Sequence, residues 1–211
     1  MRRIIDRCAY SLAKGLANQL NENHQKRSVY YYGFQIVIGS AAKLTLLAVI
    51  SAVLGVFFPA VVILFTFALL RIIAGGVHLD TFGKCITSSL ILIITGGLIS
   101  RYTFEYWPFE LLAAFLAIVF LSSLFIMIKW APADSPNKPI TKPEEIKKFK
   151  TWSIVFVLAW GALVSLLVAF NLHMYAIATG YGLIMQSFTV TPAGYRWFEA
   201  YQDKLNGAKT K

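Results

Sequence analysis

The feature that most constrains this chain is a succession of long apolar runs: Phe34–Phe58, Ala60–Ile73, Ile86–Ile99, Phe109–Ile128, Trp152–Asn171 and Met174–Val190. Runs of this length with so few charges exceed what one soluble core conceals, and a lipid core admits only helices or closed barrels. The expected fold is all-α, a polytopic membrane helix bundle of about six hydrophobic segments. A composition 57% hydrophobic and 14% charged agrees.

Twenty Lys and Arg stand against ten Asp and Glu. In so apolar a chain, that excess fixes orientation and attracts anionic lipid headgroups; it does not suggest a nucleic acid partner. If the amino terminus is cytoplasmic, alternation places Arg71–Lys84, Lys129–Lys150 and the tail after Val190 on the same side. All basic residues except Lys43 and Arg101 then lie inside. The expectation is a multi-pass membrane protein with both termini in the cytoplasm. It forms a single integral membrane domain over residues 1–211. Within it lie a cytoplasmic amphipathic helix in 1–27, four spans in 34–128, a basic loop in 129–150, two spans in 151–190 and a tail in 191–211.

The first 30 residues lack an uninterrupted apolar core, so no cleavable signal peptide is expected. Instead Ile4, Ile5, Cys8, Leu12, Leu16 and Leu20 recur at helical spacing. They predict an amphipathic helix over 2–20, lying in the membrane interface, packed on the protein's own cytoplasmic face, or both. Pro59 is read as a tight corner between the first two spans.

Two runs, Ala60–Ile73 and Ile86–Ile99, fall short of the ~20 residues that cross a bilayer, and they flank the polar stretch Arg71–Lys84. That stretch is expected to dip into the membrane and line a recess open to the cytoplasm, unless both helices simply extend into it. It carries His78, one of three histidines, and is followed directly by Cys85, one of two cysteines. Ionisable groups at such depth are costly and are functional candidates. Cys85 opens the third run, so the following helix dipole and Lys84 favour its thiolate. His78 is then the candidate base toward the thiol and acid toward a leaving amine. On one unbroken helix the pair would stand roughly 10 Å apart along the axis, so a turn at Gly83 or around Leu79–Thr81 is required. Gly75 and Gly76 let the backbone turn and let a substrate chain approach.

The remaining polar residues read more simply. Lys43, within the first span, is expected to snorkel or pair inside the bundle. Arg101, Glu105 and Glu110 lie near the outer edge. His24 and His173 fall at opposite faces, so no metal site is expected, and no cofactor. Cys8 is expected to pack as a small apolar residue. Trp107, Trp130 and Trp152 mark span ends, and Tyr30–Tyr32 lie just before one.

The pattern Arg-x-x-Ala-x-Gly-x-His-x6-Cys, from Arg71 to Cys85, resembles the accessory gene regulator protein B family of membrane-embedded cysteine endopeptidases. The segment Ala131-Pro132-Ala133-Asp134-Ser135-Pro136-Asn137-Lys138-Pro139-Ile140, immediately after the fourth run, resembles that family's Ala-Pro-Ala…Lys-Pro-Ile segment. The resemblance extends over the whole order of spans. It implies processing of a small amphipathic autoinducer propeptide for quorum sensing, with Cys85 as nucleophile and His78 as its base. The acidic carboxyl-terminal tail is cut off through an acyl-enzyme thioester. The acyl group then passes to a cysteine or serine of the peptide, closing a thiolactone or lactone. Exchange of one thioester for another is nearly neutral in free energy, so ring closure requires that water be kept out.

The chain departs from that pattern in places. Pro136 and Asn137 stand where some members carry lysines, which leaves Lys138 as the candidate contact for the acidic tail. Asp80 matches no position of the motif and is either an orienting carboxylate or a solvated cap. Arg71 is placed to bind substrate carboxylates, to pair with Asp80, or to anchor its span by snorkelling. A homodimer is expected, because helices this short shield a polar cavity poorly alone. The competing reading is a non-catalytic transporter or exporter of small peptides, with Arg71–Lys84 as a re-entrant substrate loop.

Overall fold

A computed structural model describes residues 2–77, 82–133 and 142–207, with side chains described within 4–77, 87–133 and 142–204. Among the described residues every regular element is helical: α1 (Arg2–Gln19), α2 (His24–Val53), α3 (Phe57–Ala74), α4 (Phe82–Thr103), α5 (Phe109–Trp130), α6 (Pro143–Ala169), α7 (His173–Val190) and α8 (Pro192–Gly207). A 3-10 turn, Phe104–Tyr106, joins α4 to α5. Among the described residues four helices, α2, α3, α5 and α6, are long and apolar enough to cross a membrane. The protein is an all-α membrane helix bundle, and the count of about six spans is approximate.

The centre of the bundle is α7, whose packing partners include α3, α4, α5, α6 and α8. Eleven of its eighteen residues are buried, so it faces protein on nearly every side. Its small residues Ala176, Ala178, Gly180 and Gly182 permit this, because close backbone approach is how helices associate when hydrophobic exclusion contributes little. One apolar cluster centres on Leu70, Leu112, Met127, Trp160 and Leu183, and a second on Leu47, Ile63, Ile93 and Ala178. Between them Thr179 Oγ1 receives Trp160 Nε1 at 2.8 Å and pairs with Thr66 Oγ1 at 2.9 Å. Deeper along α7, Ser187 Oγ bonds Ser123 Oγ at 3.0 Å. These polar links join α3, α5 and α6 to α7 where lipid offers no substitute.

The helix α1 folds back on α2 and forms a hairpin. Gln35 Nε2 donates to Asp6 Oδ1 at 2.7 Å, Tyr10 meets Tyr31 edge to face, and the Arg27 guanidinium lies over Tyr10. The buried stripe differs from the expected one: it is Ile5, Ala9, Ala13 and Ala17, while Ile4, Cys8, Leu12 and Leu20 are exposed. Alanines let the two helices approach closely, and the larger side chains are left outward, where an interfacial helix presents them to lipid. Cys8 is therefore exposed and not packed. At 30 residues α2 is ~45 Å long, so it outreaches a ~30 Å hydrocarbon core.

Three further boundaries differ from expectation. The corner after α2 is at Gly55, with φ of 69°, and not at Pro59, which lies inside the first turn of α3. Proline is tolerated there because its missing N–H has no helical partner in any case. Tyr102 of α4 donates to Leu54 O at 3.0 Å and fixes that corner. The latter part of the basic stretch 129–150 is helical, since α6 starts at Pro143 with Glu144 and Glu145 in its first turn, both favourable at a helix amino terminus. The tail likewise forms α8, started by Thr191, whose Oγ1 accepts Gly194 N–H at 3.0 Å. The turn expected near Asn171 is present, with Asn171 at φ of 58°.

Candidate functional site

The ends of α3, α5 and α7 meet at one pole of the bundle, where the two sequence motifs are brought together. Arg71 lies in the last turn of α3, Ala74 is its last residue, and the backbone then leaves helical geometry at Gly75 and Gly76 with φ of 70° and 125°. Only glycine adopts such values without strain. Gly75 pairs in a parallel bridge with Ala133, from the segment after α5, and Ala133 N–H donates to Ala74 O at 2.8 Å. A Cβ at Gly75 would strike the Ala133 backbone, and one at Gly76 would strike the Arg71 guanidinium and Thr189. The close approach these glycines permit is thus that of the chain's own Ala131–Ala133 segment, together with Arg71 and Thr189.

The backbone groups of Gly75 and Val77 are engaged by protein. Gln186 Nε2 donates to Gly75 O at 2.7 Å, and Val77 N–H donates to Thr189 O at 3.1 Å. Arg71 donates from Nη1 to Thr189 Oγ1 at 2.9 Å and from Nη2 to Val77 O. Thr189 Oγ1 donates in turn to Gln186 O at 2.8 Å. Irregular backbone at membrane depth persists only with such partners. Gln186 is fully buried and Thr189 nearly so. Neither belongs to a sequence motif, though both stand as polar interruptions in the last apolar run.

After Val77 the chain reaches His78 and Asp80, which lie outside the described residues, as does Lys138. The helix resumes at Phe82, so Gly83 is helical and is not the site of a turn, while the alternative, a turn around Leu79–Thr81, lies outside the described residues. Lys84 and Cys85 occupy the third and fourth positions of α4, and only their backbone is described. Thus α4 extends into the polar stretch, as α3 extends only to Ala74. One turn beyond Cys85, Lys43 of α2 donates from Nζ to Ser89 Oγ at 3.0 Å, and Ser88 Oγ lies 3.4 Å from the Tyr201 hydroxyl of α8. Lys43 is thus paired inside the bundle. Arg71 is not a free snorkelling anchor, since its guanidinium ties α3 to α7 and to the Val77 carbonyl. Among the described residues no cluster of His, Cys, Asp or Glu suits a metal ion.

The family model described as Accessory gene regulator B matches residues 7–190. Accessory gene regulator protein B of Staphylococcus intermedius is 28% identical over 191 residues, covering 90% of this chain and 95% of that protein. Putative AgrB-like protein 2 of Clostridium perfringens strain 13 is 27% identical over 152 residues, covering 72% and 71%. Accessory gene regulator protein B of Staphylococcus aureus strain MW2 is 26% identical over 163 residues, covering 77% and 81%. No solved structure matches the chain. With its family model spanning most of its length, from the α1–α2 hairpin to the end of α7, the chain belongs to the accessory gene regulator B family.

Proposed function

We propose that this protein is a membrane-embedded cysteine endopeptidase that removes the acidic carboxyl-terminal tail of a small autoinducer propeptide and promotes its cyclisation. The observation that carries the reading is the bridge between Gly75 and Ala133, which joins the two motif segments at one pole and anchors the chain immediately before His78. The helix α3 ends at Ala74, before His78, and α4 starts at Phe82, so His78 and Cys85 do not share one continuous helix with the two-turn separation that would impose.

In this reading the Cys85 thiolate attacks the carbonyl carbon at the junction with the tail. A carbon–sulfur bond forms, the carbon–nitrogen bond breaks, and the departing amine takes a proton from His78. A thiol or hydroxyl of the bound peptide then gives its proton to His78 and attacks the thioester, closing the ring and releasing Cys85. Lys84 and the amino terminus of α4 favour the thiolate. Gly75, Gly76 and Arg71 form the wall along which the propeptide lies, and Lys138 meets its acidic tail.

The site opens to the cytoplasm, both termini lie there, and the basic residues at that pole adjoin the anionic leaflet. The chain is one membrane domain and works as a homodimer. The test is co-expression with a propeptide carrying an acidic tail, followed by mass spectrometry of the released tail. Wild type releases it, while Cys85→Ala and His78→Ala do not. Undiminished release by Cys85→Ala, together with loss on Gly76→Ala, would instead mark a transporter whose product is cut elsewhere.

A further inference from the structure

The helix α8 carries an aromatic face that the proposed function leaves without a task. Trp197 stacks on Tyr201 with ring centroids 5.4 Å apart, and it meets Phe198 and, from α7, Phe188 edge to face at 5.0 and 6.3 Å. The patch is open, with Trp197 50% exposed and Phe188 39%. Nine residues along one straight helix would advance ~14 Å, so the contact of Phe188 with Trp197 requires the chain to turn at Thr191, where the backbone is extended. Thus α8 folds back against the end of the bundle and does not project from it. Further along, the Tyr201 hydroxyl lies 3.4 Å from Ser88 Oγ of α4. Ser88 is six residues past the start of α4 at Phe82, or ~9 Å inside it. Ile91, three positions on and hence on the same side of α4, is 57% exposed, as a side chain facing lipid is. The aromatic face of α8 therefore borders the apolar outer surface of the bundle. Arg196, Glu199 and Asp203, all exposed, recur at three- and four-residue spacing on the opposite side of α8.

We infer that α8 is an interfacial helix, lying at the boundary between lipid headgroups and acyl chains with Trp197, Tyr201 and Phe188 turned into the leaflet around the pole where α3, α5 and α7 end. Tryptophan and tyrosine suit that level, because each joins an apolar body to a polar group that bonds headgroups or water. Arg196, Glu199 and Asp203 then face water. Lys204, three positions past Tyr201, lays its stem along the boundary and keeps its ammonium among the headgroups. The two basic and two acidic residues of α8 cancel, so apolar burial, and not attraction to anionic lipid, holds the helix down. Because Tyr201 reaches Ser88, the leaflet braces the first turns of α4 through α8. The inference is independent of the chemistry assigned to Cys85.

The experiment is fluorine NMR of the full-length protein carrying fluorotryptophan, in phosphatidylcholine bicelles. Trp197→Phe assigns the Trp197 resonance, and Trp197→Tyr serves if that variant does not accumulate. Relaxation is enhanced from the lipid side by phosphatidylcholine bearing a doxyl label near its headgroup, and from the water side by a gadolinium chelate. The Trp197 resonance is expected to broaden beyond detection with the lipid label and to persist with the chelate. Broadening by the chelate equal to or greater than that by the lipid label overturns the inference and marks a face open to water and soluble partners. A resonance that neither reagent broadens also overturns it, and marks a face covered by a second copy of this chain.

Discussion

Gln186, buried near the end of α7, donates from Nε2 to the carbonyl of Gly75 at 2.7 Å, and so joins the most enclosed helix of the bundle to the first non-helical residue after α3. The link spans 111 positions of sequence and satisfies a carbonyl that no helix or lipid would serve. It makes α7 a structural floor for the segment leading to His78.

Replacing Gln186 with Leu keeps the volume but leaves the Gly75 carbonyl without its donor. An orphaned buried acceptor costs about 1–3 kcal/mol. Thermal unfolding in detergent should show a lowered midpoint, and tail release should fall more than the loss of folded protein explains, because the tether before His78 is loosened.

Gly75→Ala introduces a Cβ into the backbone of Ala133 at a φ that L residues rarely adopt. It should abolish accumulation or unhook the Ala131–Ala133 segment. Gly33→Ala, where nothing lies within 4 Å, is the control and should be neutral or mildly stabilising. Expression level and fluorescence-detected size exclusion distinguish the two.

Arg71→Lys preserves the charge but not the fork. A guanidinium reaches Thr189 and Val77 together, and an ammonium presents a single point. Loss of activity comparable to that of Arg71→Met is expected, read as tail release per folded molecule.

Thr179→Val removes the oxygen shared by Trp160 and Thr66. Interhelical hydrogen bonds in membranes contribute about 0.6 kcal/mol on average and up to ~1.7. Because this variant leaves the indole N–H of Trp160 unmatched, the loss should lie at the upper end, with a measurable drop in unfolding temperature and little change in residual specific activity.

Much of this architecture is legible in the sequence, and the reasons for the exceptions are physical. Continuous apolar runs announce α2, α3, α5 and α6, and the Arg71–Cys85 and Ala131–Ile140 segments announce the pole where α3 and α5 end. Periodicity also finds α1, yet it favours the large side chains Ile4, Leu12 and Leu20. The packed stripe is alanine, which hydrophobicity ranks low and close packing ranks high. The corner at Gly55 is masked by Pro59, because proline both ends helices and begins them. The role of α8 is hidden by its polarity, although Thr191-Pro192 is a start signal. Gln186 and Thr189 escape notice because their partners, Gly75 and Arg71, lie more than a hundred positions away.

The account turns on a covalent bond at one sulfur, and intact-protein mass spectrometry observes it most directly. Purified protein in nanodiscs is mixed with an acidic-tailed propeptide whose ring-closing residue is replaced by Ala, then quenched in acid. The account predicts a mass increase equal to the propeptide without its tail, less one water, as an acyl group on sulfur requires. That adduct should map to Cys85, be removed by hydroxylamine, and be lacking in Cys85→Ala. Release of the tail at the wild-type rate by Cys85→Ala, with no adduct on either protein, would contradict it.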